Sequence, residues 1–137
     1  MSAKDFILLQ QELDSKHDRH DKLAKLSREC TSLSKKAIFH LHRTYVCPAE
    51  GSVAAQVLHD TEVKFATISG ILKEMATEIA TANEDPFRYQ TAYFQGVQEF
   101  IEALSYWTFC RTGKLLTLTQ AESWFAFRLD GAESKAI

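Results

Sequence analysis

Forty residues, Lys4 to Arg43, pass without a glycine or a proline, so nothing in that stretch interrupts a helix. An apolar seam runs through it: Leu9, Leu13, then Leu23, Leu26, Cys30, Leu33, Ala37 and Leu41. Most of its steps are 3 or 4, which is helical periodicity close to a heptad. The seam turns polar at Lys16 and His20. A helix of forty residues is about 60 Å long. That is too long for a small compact bundle unless partners run along its length.

The rest of the chain is equally poor in breakers. Only 5 glycines and 2 prolines occur in 137 residues, against an average usage of about 12% for the two together. Pro48 ends the first helix, since it cannot continue it and biases Cys47 away from α geometry. A second seam follows at Val53, Val57, Thr61, Phe65, Ile68, Leu72, Met75 and Ile79, again in steps of 3 and 4. Asp85-Pro86 reads as an N-cap and a first helical residue, and Gly113 as a C-terminal stop. These signals predict three long antiparallel helices over 4–45, 50–82 and 86–112, no sheet, and an all-α fold. Thr119-Gln120-Ala121-Glu122 reads as a capping box before a short fourth helix. Residues 1–129 form the expected helical portion, and the small polar residues 130–137 a flexible tail.

Composition removes several function classes. The net charge is −2 and 45% of residues are hydrophobic, which is globular and not broadly phosphate-coating. Any nucleic-acid site must be local. The longest apolar runs are four residues, Phe6–Leu9 and Trp124–Phe127, far short of a membrane span or a signal peptide's apolar core. Cys30, Cys47 and Cys110 are odd in number and widely spaced. They suit small buried apolar positions in a reducing compartment, cytoplasmic or nuclear, better than a disulfide or zinc framework. No P-loop, G-x-G-x-x-G or G-x-S-x-G is present.

Chemistry concentrates on the third helix. Between Tyr93 and Cys110 apolar residues cover most of the circumference, and Gln95, Gln98, Glu99, Glu102 and Ser105 make one polar stripe. So much apolar surface exceeds what two helices can cover and predicts association. Glu99 and Glu102 are three apart, so their carboxylates leave one face about a turn apart. Two ionised carboxylates repel, and a divalent cation relieves that cost. Magnesium fits, being a hard ion often held by one or two carboxylates while keeping several waters. Glu pairs at this spacing are also common on solvated helix faces, so spacing alone leaves both readings open. His17/His20 and His40/His42 read as polar faces rather than ligand clusters. Phe87, Tyr89, Tyr93 and Phe94 read more readily as core than as base-stacking groups, with Arg88 the best candidate for a phosphate contact. Lys35, Lys36 and Arg43 give the first helix a basic end.

Leu9 to Arg43 reads LQQELDSKHDRHDKLAKLSRECTSLSKKAIFHLHR, and Gly96 to Phe109 reads GVQEFIEALSYWTF. Both blocks resemble the translin-associated factor X branch of the translin family. The resemblance implies long helices and co-assembly with translin into a closed, hollow multimer. It implies a magnesium-dependent endoribonuclease on single-stranded RNA, with single-stranded DNA as a further candidate ligand. It also implies roles in passenger-strand removal during RNA silencing and in transfer-RNA fragment processing. Two of the family's catalytic carboxylates fall on Glu99 and Glu102, and others lie on a later helix. This chain stops before any such segment, as an amino-terminal portion, a short isoform or a truncated product would. In isolation it is therefore expected to be inactive. The competing expectation is a non-catalytic module that binds translin and shapes assembly. Near Phe87 to Phe94 the translin branch carries a basic, histidine-containing stretch, of which only Arg88 keeps the character here.

Overall fold

The computed structural model describes residues 2–46, 51–129 and 132–135. Helix α1 spans Ala3–Val46, α2 Gly51–Thr81, α3 Gln90–Thr112 and α4 Leu118–Trp124. The expected boundaries of the long helices hold to within a residue or two, except that Pro86–Tyr89 forms a separate 3-10 turn. Asp85 caps that turn as expected, its carboxylate accepting from the Phe87 N–H at 3.0 Å. Gly113 ends α3 in the left-handed region at φ 72°, its N–H bonded to the Phe109 carbonyl. Cys47 lies outside the described residues.

The three long helices run up, down and up. At one end Arg19 and Lys22 of α1 meet Glu78 of α2 at 3.3 and 3.0 Å. Toward the other end His42 stacks on Tyr106, so α1 and α3 run parallel. The seams read from the sequence are the core: Leu23, Leu26, Cys30, Ala37 and Leu41 from α1, and Thr61, Phe65, Ile68, Leu72, Met75 and Ile79 from α2, are buried. The upper part of the α1 seam is not. At about 66 Å, α1 outreaches α2 by about 20 Å. Residues 3–15 project past the end of α2 and are exposed throughout, with Phe6 62% and Leu13 66% exposed.

One contact fixes how closely α1 and α3 approach. The Ser27 hydroxyl accepts from the Gly96 N–H at 2.9 Å and donates to the Tyr93 carbonyl at 3.4 Å. One turn along, the Cys30 thiol donates to the Gly96 carbonyl at 3.2 Å. Burial pushes that thiol up to about 11, so Cys30 stays protonated and packs as a small apolar residue. A Cβ on Gly96 would lie 2.7 Å from the Ser27 hydroxyl and 2.8 Å from its carbonyl oxygen, so only glycine allows this approach.

Two differences from the sequence reading stand at the C-terminal end. The capping box starts two residues early: Thr117 and Gln120 exchange side-chain-to-backbone bonds at 3.2 and 2.9 Å. Both Thr-x-x-Gln/Glu patterns exist in the sequence. The earlier one starts a seven-residue helix that delivers Trp124 and Phe125 to an edge-to-face aromatic cluster with Phe65, Phe100 and Trp107. The expectation of no sheet also needs correcting. Ala126–Leu129 (β1) pairs antiparallel with Ala132–Lys135 (β2), so the described part of the expected tail is a strand. The hairpin is small, and the fold remains all-α in class.

Two predictions follow from this packing. Gly96→Ala should destabilise the fold by about 1–3 kcal/mol, because backbone atoms must give way. Gly70→Ala, with nothing within 4 Å of the new Cβ, should stabilise it by about 0.5–1 kcal/mol through helix propensity. Urea denaturation of both variants checks the pair. The second concerns Glu78. Burial opposes its ionisation, but hydrogen bonds and charge from Lys22 and Arg19 outweigh that and hold its carboxyl below the usual range. A depressed carboxyl contributes stability above its unfolded pKa of about 4.3 and loses it as pH falls through the folded value. Glu78→Gln should therefore be less stable than wild type at pH 7, and the gap should close below about pH 4 in thermal melts.

Candidate functional site

Helix α3 presents three kinds of surface. Ala92, Tyr93, Gly96, Val97, Phe100, Ala103, Leu104, Trp107 and Thr108 are buried against α1, α2 and α4. Phe94, Ile101 and Phe109 are uncovered, in keeping with the excess apolar surface read from the sequence. The polar stripe lies open: Gln95, Gln98 and Glu102 are exposed, and Glu99 and Ser105 are partly so.

Within that stripe the two carboxylates differ. Glu99 sits where α3 passes α1, with its side chain only 18% exposed, and the Lys35 ammonium stands 4.0 Å from its Oε1. Glu102, one turn further, is exposed. Lys35 is the neighbour that spacing could not assign to Glu99. It is 64 positions away in sequence, and only the parallel packing of α1 on α3 brings it there. An ion pair this open contributes at most about 1 kcal/mol, so Lys35 is free to exchange Glu99 for another anion at little cost.

Two carboxylates one turn apart, one shielded and one open, offer the oxygen donors that a hard cation keeping most of its waters would need. Among the described residues, no three of His, Cys, Asp and Glu converge on a possible metal position. Two of the histidines have partners of another kind. His17 pairs with Asp21 on the exposed face of α1, and His42 stacks on Tyr106.

Arg88 is not at this site. It lies in the 3-10 turn, exposed, with its guanidinium 3.4 Å from Glu84, about 16 Å along the helix direction from Glu99. Its aromatic neighbours divide. Tyr89 and Tyr93 are buried and hydrogen-bonded through their hydroxyls to Glu84 and the Pro86 carbonyl, while Phe87 and Phe94 are exposed. The core reading holds for the two tyrosines only.

The fold defines an all-α protein of long helices stacked up, down and up, and the sequence places it in a known helical family. The translin family model matches residues 18–135, and the chain belongs to that family. It is 35% identical over 133 residues to the translin-associated protein X of Rattus norvegicus, covering 96% of this chain and 44% of that protein. The Mus musculus translin-associated protein X is 33% identical over 132 residues, and a homolog from Schizosaccharomyces pombe 31% over 114. The chain thus spans less than half the length of these relatives. Among the described residues no helix is long and apolar enough to cross a membrane.

Proposed function

We propose that this chain carries the first carboxylate pair of a magnesium-dependent endoribonuclease that cleaves single-stranded RNA in assembly with translin. The observation that supports this most is the placement of Glu99 and Glu102 on the open polar stripe of an otherwise apolar helix, with Lys35 beside Glu99. The names of the relatives supply the partner: they are translin-associated proteins. The uncovered Phe94, Ile101 and Phe109 offer apolar surface for such an assembly. Passenger-strand removal in RNA silencing and transfer-RNA fragment processing, in cytoplasm and nucleus, are the roles this reading carries.

Glu99 and Glu102 would hold the ion through carboxylate oxygens. When bound, magnesium supplies a polarised water and charge stabilisation at the scissile phosphate. The chain's own groups do the remainder. Packing against α1 fixes Glu99, whereas Glu102 keeps the freedom of an exposed side chain. Lys35 offers a cation that orients a phosphate oxygen next to the carboxylates.

The second reading is a non-catalytic translin-binding module. It is favoured by the lack, among the described residues, of a third ligand near the pair. The discriminating experiment uses a subunit extended to the length of its relatives and reconstituted with translin. Glu99→Gln and Glu102→Gln keep side-chain shape and remove charge. Cleavage of single-stranded RNA should fall by about 10²-fold or more in each, with assembly and RNA binding near normal. Full cleavage by the double variant in magnesium would leave the module reading and a solvated Glu99–Glu102 face. The 137-residue chain alone should cleave nothing, because half a shell binds a reluctantly dehydrated ion weakly.

A further inference from the structure

A second feature lies on the other flank of Lys35. Between α1 and α2 runs an open groove of about 530 Å³ lined by Lys35, Lys36, Phe39, His40, Arg43 and Lys64. Four of these six side chains are permanently cationic and none is acidic. The chain as a whole is slightly negative, so the groove is a local concentration of positive charge. Only Lys35, at the groove's edge, has a carboxylate partner among the described ion pairs.

The groove also contains an aromatic platform. Phe39 is 62% exposed, on the face of α1 away from the buried Ala37 and Leu41. The Arg43 guanidinium lies 4.9 Å from the centre of its ring, which holds both at the rim. Inside, the His40 Nε2 is buried and has no hydrogen-bond partner among the described residues. An orphaned polar atom of this kind costs free energy unless a ligand or water meets it.

From these features we infer that the groove is a binding track for single-stranded nucleic acid, with Lys36, Arg43 and Lys64 on phosphates and Phe39 stacked on a base. Cations that follow the backbone, combined with an exposed ring for bases, are the two elements of sequence-tolerant single-strand binding. An acidic peptide would use the cations and leave the ring without a function. The track ends at Lys35, and so at Glu99, which gives it a purpose under the reading above. The inference rests on that reading for its substrate, but binding can be measured without cleavage.

The test is binding of a fluorescein-labelled oligouridylate to the 137-residue chain by anisotropy, without magnesium and across a salt series. Circular dichroism of each variant verifies that it is folded. Lys36→Gln/Arg43→Gln/Lys64→Gln should lower affinity at least tenfold. It should also reduce the slope of log affinity against log salt by about 2, at about 0.7 per phosphate contact. Phe39→Ala should lower affinity about tenfold with the slope unchanged, and Phe39→Trp should restore it. Glu99→Gln should bind as wild type or tighter, so a failure of the metal reading leaves this result standing. Unchanged affinity and slope in the triple variant would overturn the proposal, as would the absence of binding by wild type. So would polyglutamate binding as tightly as the RNA with no response to Phe39→Ala, which would make the groove an acidic-peptide site.

Discussion

The distance between α1 and α3 is set where Ser27 meets Gly96. A side chain at position 96 would push the helices apart, and the Lys35–Glu99 and His42–Tyr106 contacts lie along the seam they share. Lys35 reaches Glu99 two turns beyond the crossing, and His42 reaches Tyr106 two turns further still. The hydroxyl of Ser27 serves both sides of the contact, accepting from one α3 backbone group and donating to another. The Ser27 hydroxyl and the Gly96 N–H are thus both paired at the point of close approach. The aromatic cluster around Phe65 and Phe100 then locks α2 and α4 onto α3. Its T-shaped pairs add to the burial of five large rings.

Much of this was legible in the sequence. Breaker-free stretches and apolar steps of 3 and 4 define the long helices because backbone and side-chain periodicity agree over many turns. The exceptions have specific causes. The α1 seam continues through Leu9 and Leu13, but periodicity cannot show that α2 is shorter and leaves them uncovered. Thr117 and Thr119 each begin an acceptable capping pattern, and the choice is made by where Trp124 and Phe125 can pack. The hairpin at 126–129 and 132–135 follows an apolar run too short for its period to be read.

The polar stripe was legible in a weaker sense. Glu99 and Glu102 share a face by helical geometry, and the stripe's openness follows from the burial of the opposite side. What distinguishes Glu99 from Glu102 is tertiary. Glu99 lies under α1 beside Lys35, and no local pattern encodes a pairing between residues 64 positions apart. The same holds for the groove on the far side of Lys35, whose cations come from two helices. The sequence shows Lys35, Lys36 and Arg43 as a basic helix end, which suits the helix dipole equally well. Lys64, arriving from α2, turns that end into a lined surface.

We propose that Glu99 and Glu102 hold a divalent ion whose remaining ligands lie outside this chain. The most direct measurement is crystallography of a translin-reconstituted subunit extended to the length of its relatives, with manganese in place of magnesium and anomalous scattering to locate the ion. An anomalous peak is expected within coordinating distance, about 2.0–2.2 Å, of carboxylate oxygens from both Glu99 and Glu102, with Lys35 turned away from Glu99. A peak elsewhere, with Lys35 still paired to Glu99 and the stripe facing solvent, would contradict it.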